Sequence, residues 1–273
     1  MSLMKINYVH NELKKLTPVI INLISNYNNN FKEYDFRYKE VENSFIKKEQ
    51  DIQESGKLDM LYDVIQEKRV YTEPFDDLKS FAQFQNELML VKHTALIENM
   101  IISIFRCLIN LLQKYDYHNK YFIEQKNFSD SFVAVNKINE LTDSKINLCK
   151  INCWDLIKTM KIIRNPIAHG EALFTISYRR AKKFNKEIDM INMFSKVNEG
   201  VLKDKHSSLL QPTYENKSKW FCHLSSDIKN LLKLNKKCLE FVEETKKLYL
   251  SYGNENNLAV NELYECKAYN KYE

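Results

Sequence analysis

Apolar residues recur along this chain at alternating steps of three and four, the spacing that keeps one face of an α-helix dry. The clearest run is Phe31, Tyr34, Tyr38, Val41, Phe45 and Ile52, which predicts a long helix to about Glu54 burying one narrow stripe. Ahead of it, residues before Thr17 read as a first amphipathic helix. Thr17 and Pro18 read as N-cap and first residue of a short helix through Ile20, Ile21 and Ile24, which the run Asn28-Asn29-Asn30 ends. Gly56 marks a break, after which Leu58, Leu61, Val64 and Ile65 resume the spacing until Pro74 closes the segment. Between Phe81 and Leu112 the apolar positions cover more than one face, which predicts the central helix of a bundle. A polar connection over 115–127 is followed by helices expected over about Ser129 to Leu141 and Asn152 to Asn165. Then come a basic segment from Arg179 to Lys186, a loop over 200–217 containing Pro212, and a last helix from about Ser218 to Leu250 carrying Trp220, Leu224, Ile228, Leu231 and Leu239.

Composition supports that reading. Only four Gly and four Pro in 273 residues are too few for the many tight turns of a β-sandwich or an α/β fold, whereas 44% hydrophobic residues are ample for a core. The expected fold class is therefore all-α. No Gly-rich phosphate loop or dinucleotide fingerprint is present, which excludes the common nucleotide-binding motifs. Among six cysteines, Cys149 and Cys153 form one Cys-x3-Cys pair on an expected helix face. No second pair or His pair completes a zinc spacing, so reduced, packed thiols are expected, with no metal and no cofactor. The most apolar stretch, Ala95 to Leu112, is interrupted by Glu98, Asn99, Arg106 and Asn110, so a cytoplasmic chain without a membrane span is expected.

One segment concentrates chemistry. Arg164-Asn165-Pro166-Ile167-Ala168-His169-Gly170 sets a phosphate-binding fork, an amide and an imidazole beside a Pro and a Gly. In a straight helix a five-residue separation puts two side chains about 140° apart. Pro166 disfavours the helical conformation at Asn165, so a kink, or a new helix capped by Asn165, is expected to swing His169 towards Arg164. The trio suits RNA cleavage. The ribose 2′-hydroxyl attacks the adjacent phosphate once a base takes its proton, an acid protonates the leaving oxygen, and a cation stabilises the charge on the phosphoryl oxygens. A histidine serves as base or acid near neutral pH, and no metal is required.

Arg164-Asn165-x3-His169 at the end of a helix in an all-α chain resembles the Arg-x4-6-His motif of the HEPN superfamily. Members are helical bundles, many of them metal-independent endoribonucleases of toxin–antitoxin, abortive-infection and CRISPR defence systems. The resemblance covers roughly residues 81–250, a HEPN-like bundle. Residues 1–80 form an additional N-terminal helical region, either regulatory or part of the same bundle, and residues 251–273 a polar tail. The resemblance implies Arg164, Asn165 and His169 as catalytic residues, RNA as substrate, and a homodimer through the Arg164–His169 face that builds one composite site. It also implies an antitoxin or a nucleotidyltransferase as partner. The branch controlled by nucleotide transfer onto a Tyr shortly after the His has no match, because Glu171 stands there.

Charge sits where the motif sits. Between Lys145 and Lys186 ten basic residues less two acidic ones, Asp155 and Glu171, leave +8, and the whole chain carries only +5, so the remainder sums to −3. Lys161 and Lys158 precede Arg164 by three and six residues on one broad helix face, and with Arg179, Arg180 and Lys183 they are the expected substrate-binding cations. Glu98, within the apolar central helix, is the candidate to orient Arg164 or Asn165 from behind. Blander readings exist for each: a capped helix end for the motif, a solvated face for 179–186, a water-facing carboxylate for Glu98. Two further functions remain open at this point. One is a catalytically silent HEPN-like module that holds nucleic acid or protein; the other is a structural protein using the Phe31–Ile52 stripe as its contact surface.

Overall fold

The computed structural model describes residues 2–56, 60–112, 131–170, 174–187, 191–196, 219–225, 227–256 and 258. These are predominantly helical, as the scarcity of breakers requires. The helices are α1 (Ser2–Ser55), α2 (Leu61–Leu111), α3 (Ser131–Leu141), α4 (Trp154–Ala168), α5 (Tyr178–Glu187) and α6 (Asn230–Glu255), with a 3-10 turn at Leu148–Lys150. Strands β1 (Phe174–Ser177), β2 (Ile191–Lys196) and β3 (Lys219–Leu224) form one antiparallel sheet in the order β1-β3-β2. The expected connection over 115–127, the loop over 200–217 and the tail beyond residue 258 lie outside the described residues.

Two helices are longer than the breakers suggested. Pro18 does not begin a helix: α1 runs through it and through Asn28-Asn29-Asn30 to Ser55. A Pro inside a helix forfeits one backbone bond and costs about 3 kcal/mol. Here burial of Leu13, Leu16 and Ile20 on either side offsets that cost. So does a side chain from another helix: Asn235 Nδ2 donates to the Leu13 carbonyl (3.1 Å) and to Thr17 Oγ1 (2.9 Å). Pro74 likewise lies inside α2 instead of ending it, at an exposed position where water can satisfy the freed carbonyl. Gly56 does break the chain, at φ +73°, a left-handed conformation that glycine adopts without strain.

The opposite surprise is at the other end. The expected helix from Ser218 begins instead as β3, and α6 starts only at Asn230 and continues past Leu250 through buried Tyr252 and Gly253. Trp220, Leu224, Ile228 and Leu231 have helical spacing, but the segment Lys-Trp-Phe-Cys-His-Leu also has strand-forming composition, and pairing with β1 and β2 decided between them. Ser225 and Asp227 make the turn. The Asp227 backbone N–H donates to Ser225 Oγ (2.9 Å), and the Lys229 N–H donates to Asp227 Oδ1 (3.0 Å).

A single apolar core joins Leu3 to Ile20 of α1, Leu90 to Ile109 of α2, and α3, α4 and α6, so the first part of the N-terminal region belongs to the bundle itself. Beyond it, the distal halves of α1 and α2 form a two-helix arm, closed by Phe45 and Val64 and by the ion pairs Lys48–Glu67 (3.2 Å) and Lys68–Glu49 (3.4 Å). The contacts also fix direction. His10 meets Glu243 and Leu13 meets Asn235, so α1 and α6 are antiparallel. Asn86 bonds the Ser225 carbonyl and His93 bonds Asn235, so α2 and α6 run parallel. Trp154 stacks on Phe241 (6.2 Å between centroids) while Met160 meets Cys238, so α4 is antiparallel to α6 and hence to α2. That last relation positions the site.

The stretch Asp76–Leu111 is long and apolar enough to cross a membrane by length and composition, and half of that window is buried in the fold. It is the central helix of the bundle. Its polar residues Asn86, His93 and Glu98 all find partners there.

Candidate functional site

Helix α4 reads Trp154 to Ala168 with Leu156, Ile157, Met160 and Ile163 buried, which aims the intervening positions outward and towards α2. Arg164 is placed by a buried carboxylate. Glu98, 7% exposed, accepts Arg164 Nη2 at 2.6 Å on Oε2, and Lys161 Nζ at 3.2 Å and Ser131 Oγ at 3.1 Å on Oε1. Lys161 also donates to Ser131 Oγ (3.0 Å) and lies 4.5 Å from the centre of the Phe132 ring. A carboxylate is tolerated at this depth because two cations and a hydroxyl satisfy both its oxygens. Arg164 Nη1 in turn donates to Asn165 Oδ1 (3.3 Å), while its Nε is buried with no partner among the described residues.

Glu98, Arg164 and Asn165 therefore come together as the sequence suggested. Lys161 does not serve as expected. It is 13% exposed and turned inward to Glu98, so it helps to hold the carboxylate and is withdrawn from the surface that a substrate would touch. Ser131 and Phe132 were not foreseen. Their role depends on α3 packing across α2, which no local pattern announces.

His169 stands apart. Helix α4 runs unbroken through Pro166 to Ala168, with neither a second helix nor a cap by Asn165, and His169 is its C-terminal cap. The His169 N–H bonds the Pro166 carbonyl (3.0 Å) and the Asn165 carbonyl (3.2 Å), and Gly170 follows at φ +80°. Proline's missing N–H frees only the carbonyl four residues back, and the last turn closes around it. The imidazole is exposed, and no hydrogen bond joins it to Arg164 among the described residues. Around the helix it shares a face with Asn165 and Lys158, within about 40° in all, and lies about 140° from Arg164. The chain thus presents the two motif residues on separate faces.

The remaining cations gather elsewhere. Lys158, Arg179, Arg180 and Lys183 line one groove between α4 and α5. Helix α5 is anchored there by buried Phe184, and Lys183 pairs with Asp155 in the first turn of α4. The hydrogen bond from Lys183 is the chief influence holding the Asp155 carboxyl below its usual pKa. This acid had no expected role.

Among the described residues no group of three or more His, Cys, Asp or Glu side chains could hold a metal ion. Cys107, Cys149, Cys153 and Cys238 form no disulfide; Cys149 lies in the 3-10 turn ahead of α4 and Cys153 caps that helix. Burial pushes the Cys238 thiol far above its ordinary pKa, as suits a packing residue.

A second feature lies beside the motif. Along α2, Phe81, Phe84, Leu88, Val91 and Ala95 repeat at steps of three and four, and Phe81 (50%), Phe84 (58%) and Leu88 (50%) are exposed. Ideal helix geometry puts this stripe on the same side of α2 as Glu98, within about 100°. Since α4 runs antiparallel to α2 and crosses it at Glu98, its C-terminal end with His169 points towards Ala95 and Val91. No family model, curated protein or solved structure matches this chain.

Proposed function

We propose that this protein is a metal-independent endoribonuclease of the HEPN type, active as a homodimer in the cytoplasm. The observation that carries the reading is the Glu98–Arg164–Asn165 cluster: a buried carboxylate fixes the guanidinium at the end of α4, one short turn from an exposed imidazole. Two copies of the motif would then supply what one lacks. One His169 takes the proton of the ribose 2′-hydroxyl as its oxygen attacks phosphorus. The other protonates the departing 5′-oxygen, and Arg164 stabilises the charge on the phosphoryl oxygens. The products are a 2′,3′-cyclic phosphate and a 5′-hydroxyl end.

The α2 stripe is the seat we assign to the second copy. Its steps of three and four are those of self-pairing helices, and Glu87 and Lys92 flank it five residues apart, the separation at which charges pair across parallel partners. Covering Phe81, Phe84 and Leu88 would bring the two α4 ends, and both copies of His169, to one cleft. Such an activity suits a toxin or phage-defence effector restrained by an antitoxin or a nucleotidyltransferase.

The test is incubation with mixed RNA in chelator, followed by analysis of fragment ends. Cyclic phosphate should appear, and His169→Ala and Arg164→Ala should each abolish it with helical content unchanged. Activity surviving both substitutions dismisses the assignment. A second reading, a catalytically silent binding module of the same fold, draws on one observation: Arg164 already spends two of its nitrogens on Glu98 and Asn165. RNA binding without cleavage would favour it.

A further inference from the structure

The basic residues of α5 have the spacing of a solvated helix face, yet the fold turns them onto another helix. Lys183 follows Arg179 by four residues and Arg180 by three, which sets them on one side of α5, and that side is applied to α4 by Phe184, which is 2% exposed. Lys158 and Thr159 of α4 and Ser177 at the end of β1 complete a groove of about 350 Å³. Four cations share it with one carboxylate. Asp155 pairs with Lys183 and its field also reaches Lys158 and Arg180, so one negative charge is set against four positive ones, and Lys158, Arg179 and Arg180 make no ion pair of their own among the described residues. Like charges gathered around a concavity repel one another, and an anion seated between them removes that repulsion. Two guanidinium forks and the Ser177 hydroxyl match phosphate oxygens, the Thr159 hydroxyl being spent on the Asp155 carbonyl (2.9 Å). Grooves of this volume hold groups of nucleotide size, not a duplex.

The groove also has a fixed relation to the motif. Lys158 and His169 lie on one face of α4, about 20° apart, and eleven residues separate them, which is about 16 Å along the axis. A stacked strand advances about 3.4 Å per nucleotide, so about five nucleotides span the distance. We propose that this groove is a subsite for the phosphate backbone of single-stranded RNA, gripping the strand about five nucleotides from the bond exposed to His169. The proposal rests on the ribonuclease reading for its direction along α4. It assigns the grip to Lys158, Arg179, Arg180 and Lys183 and takes Lys161 out of it.

Binding can be separated from cleavage with 2′-O-methyl RNA, which lacks the attacking hydroxyl. Fluorescein-labelled oligomers of 4 and 12 nucleotides are titrated with the full chain by fluorescence anisotropy at several salt concentrations. Lys158→Gln and Arg180→Gln should each weaken binding of the 12-mer about 3- to 10-fold. Each should also lower the slope of log Kd against log salt by about one, and the 4-mer, which fills the groove but does not reach His169, should bind more weakly than the 12-mer and lose affinity in the same variants. Lys158→Arg should restore the slope, which a merely structural effect would not do. An unchanged 12-mer slope in a variant carrying both Lys158→Gln and Arg180→Gln, with unchanged melting temperature, overturns the proposal. A 12-mer bound no more tightly than the 4-mer overturns the spacing, and displacement of the 12-mer by adenosine monophosphate at micromolar concentration reassigns the groove to a free nucleotide and overturns the strand. The two readings fail separately: a protein that cleaves RNA but shows no slope change loses only the groove, and one with the slope change but no cleavage of natural RNA loses only the nuclease.

Discussion

Replacing Glu98 by Gln removes a negative charge at a place where two cations depend on it. The isostere keeps one acceptor oxygen and the packing volume, so the loss isolates the ion pairs to Arg164 (2.6 Å) and Lys161 (3.2 Å). Stranding the partner of a buried pair costs about 3–5 kcal/mol. Lys161 is 13% exposed and cannot readily find water, whereas Arg164 is 31% exposed and can turn outward, which brings the expectation down to about 2–3 kcal/mol. For a chain of this size each kcal/mol moves Tm by about 2–4 °C, so Glu98→Gln should melt about 5–10 °C lower by circular dichroism at 222 nm. The same change in an Arg164→Met background should cost less, with a coupling of about 1 kcal/mol, because one of the stranded cations is then gone. Additive losses, or a shift under about 2 °C, would refute the view that Glu98 organises this end of α4. RNA cleavage should fall in parallel even where the variant remains folded, since the guanidinium loses the group that aims it.

Three other outcomes follow from the same structure. Burial is the main cause holding the His93 imidazole below its ordinary pKa, against the pull of its hydrogen bonds to the Met89 carbonyl and Asn235. The folded state therefore favours the neutral ring. Its contribution is complete above the unfolded value of about 6.5 and is lost as pH falls below that towards the folded pKa, at up to about 1.4 kcal/mol per pH unit. Urea unfolding between pH 7.5 and 5.5 should show that slope in the native chain and lose most of it in His93→Gln. Phe241→Ala should destabilise by about 3–5 kcal/mol and alter the fluorescence of Trp154, which stacks on it; a loss below about 1 kcal/mol would mean that this end of the core is loosely packed. Phe84→Glu with Leu88→Glu should leave Tm within about 2 °C, because both side chains are exposed, yet convert a dimer to a monomer in sedimentation. A monomeric native chain would remove the stripe from the argument.

Much of this architecture was legible in the order of residues. Few breakers and persistent three-and-four spacing dictate helices whatever they pack against, so the central helix, Gly56 and helices α3 and α4 fall close to where the pattern puts them. The meeting of Glu98 with Arg164 was one reading among several, beside a water-facing carboxylate and a different cation, and the packing of α4 on α2 chose it. Pro18, Pro74 and Asn28-Asn29-Asn30 misled because a breaker's cost is local and modest, while the burial of Leu13, Leu16 and Ile20 and the bonds from Asn235, 218 residues beyond Thr17, are supplied from a distance. Residues 219–224 misled for the converse reason: both periods fit six residues, and strand partners far along the chain chose one.

Sequence alone determined the helical class, the presence of an apolar central helix, the concentration of positive charge around α4 and the candidate chemistry of Arg164 and His169. Only the tertiary structure decided how that charge is divided. Lys161 was drawn inward by Glu98 and Ser131, while Lys158 was left beside Arg179, Arg180 and Lys183 in a groove. The same packing left His169 exposed at the end of α4 and Phe81, Phe84 and Leu88 exposed on α2. Periodicity fixes which side of its own helix a residue occupies, but the direction and crossing of neighbouring helices fix what that side meets, and these are set by contacts between residues far apart in the chain.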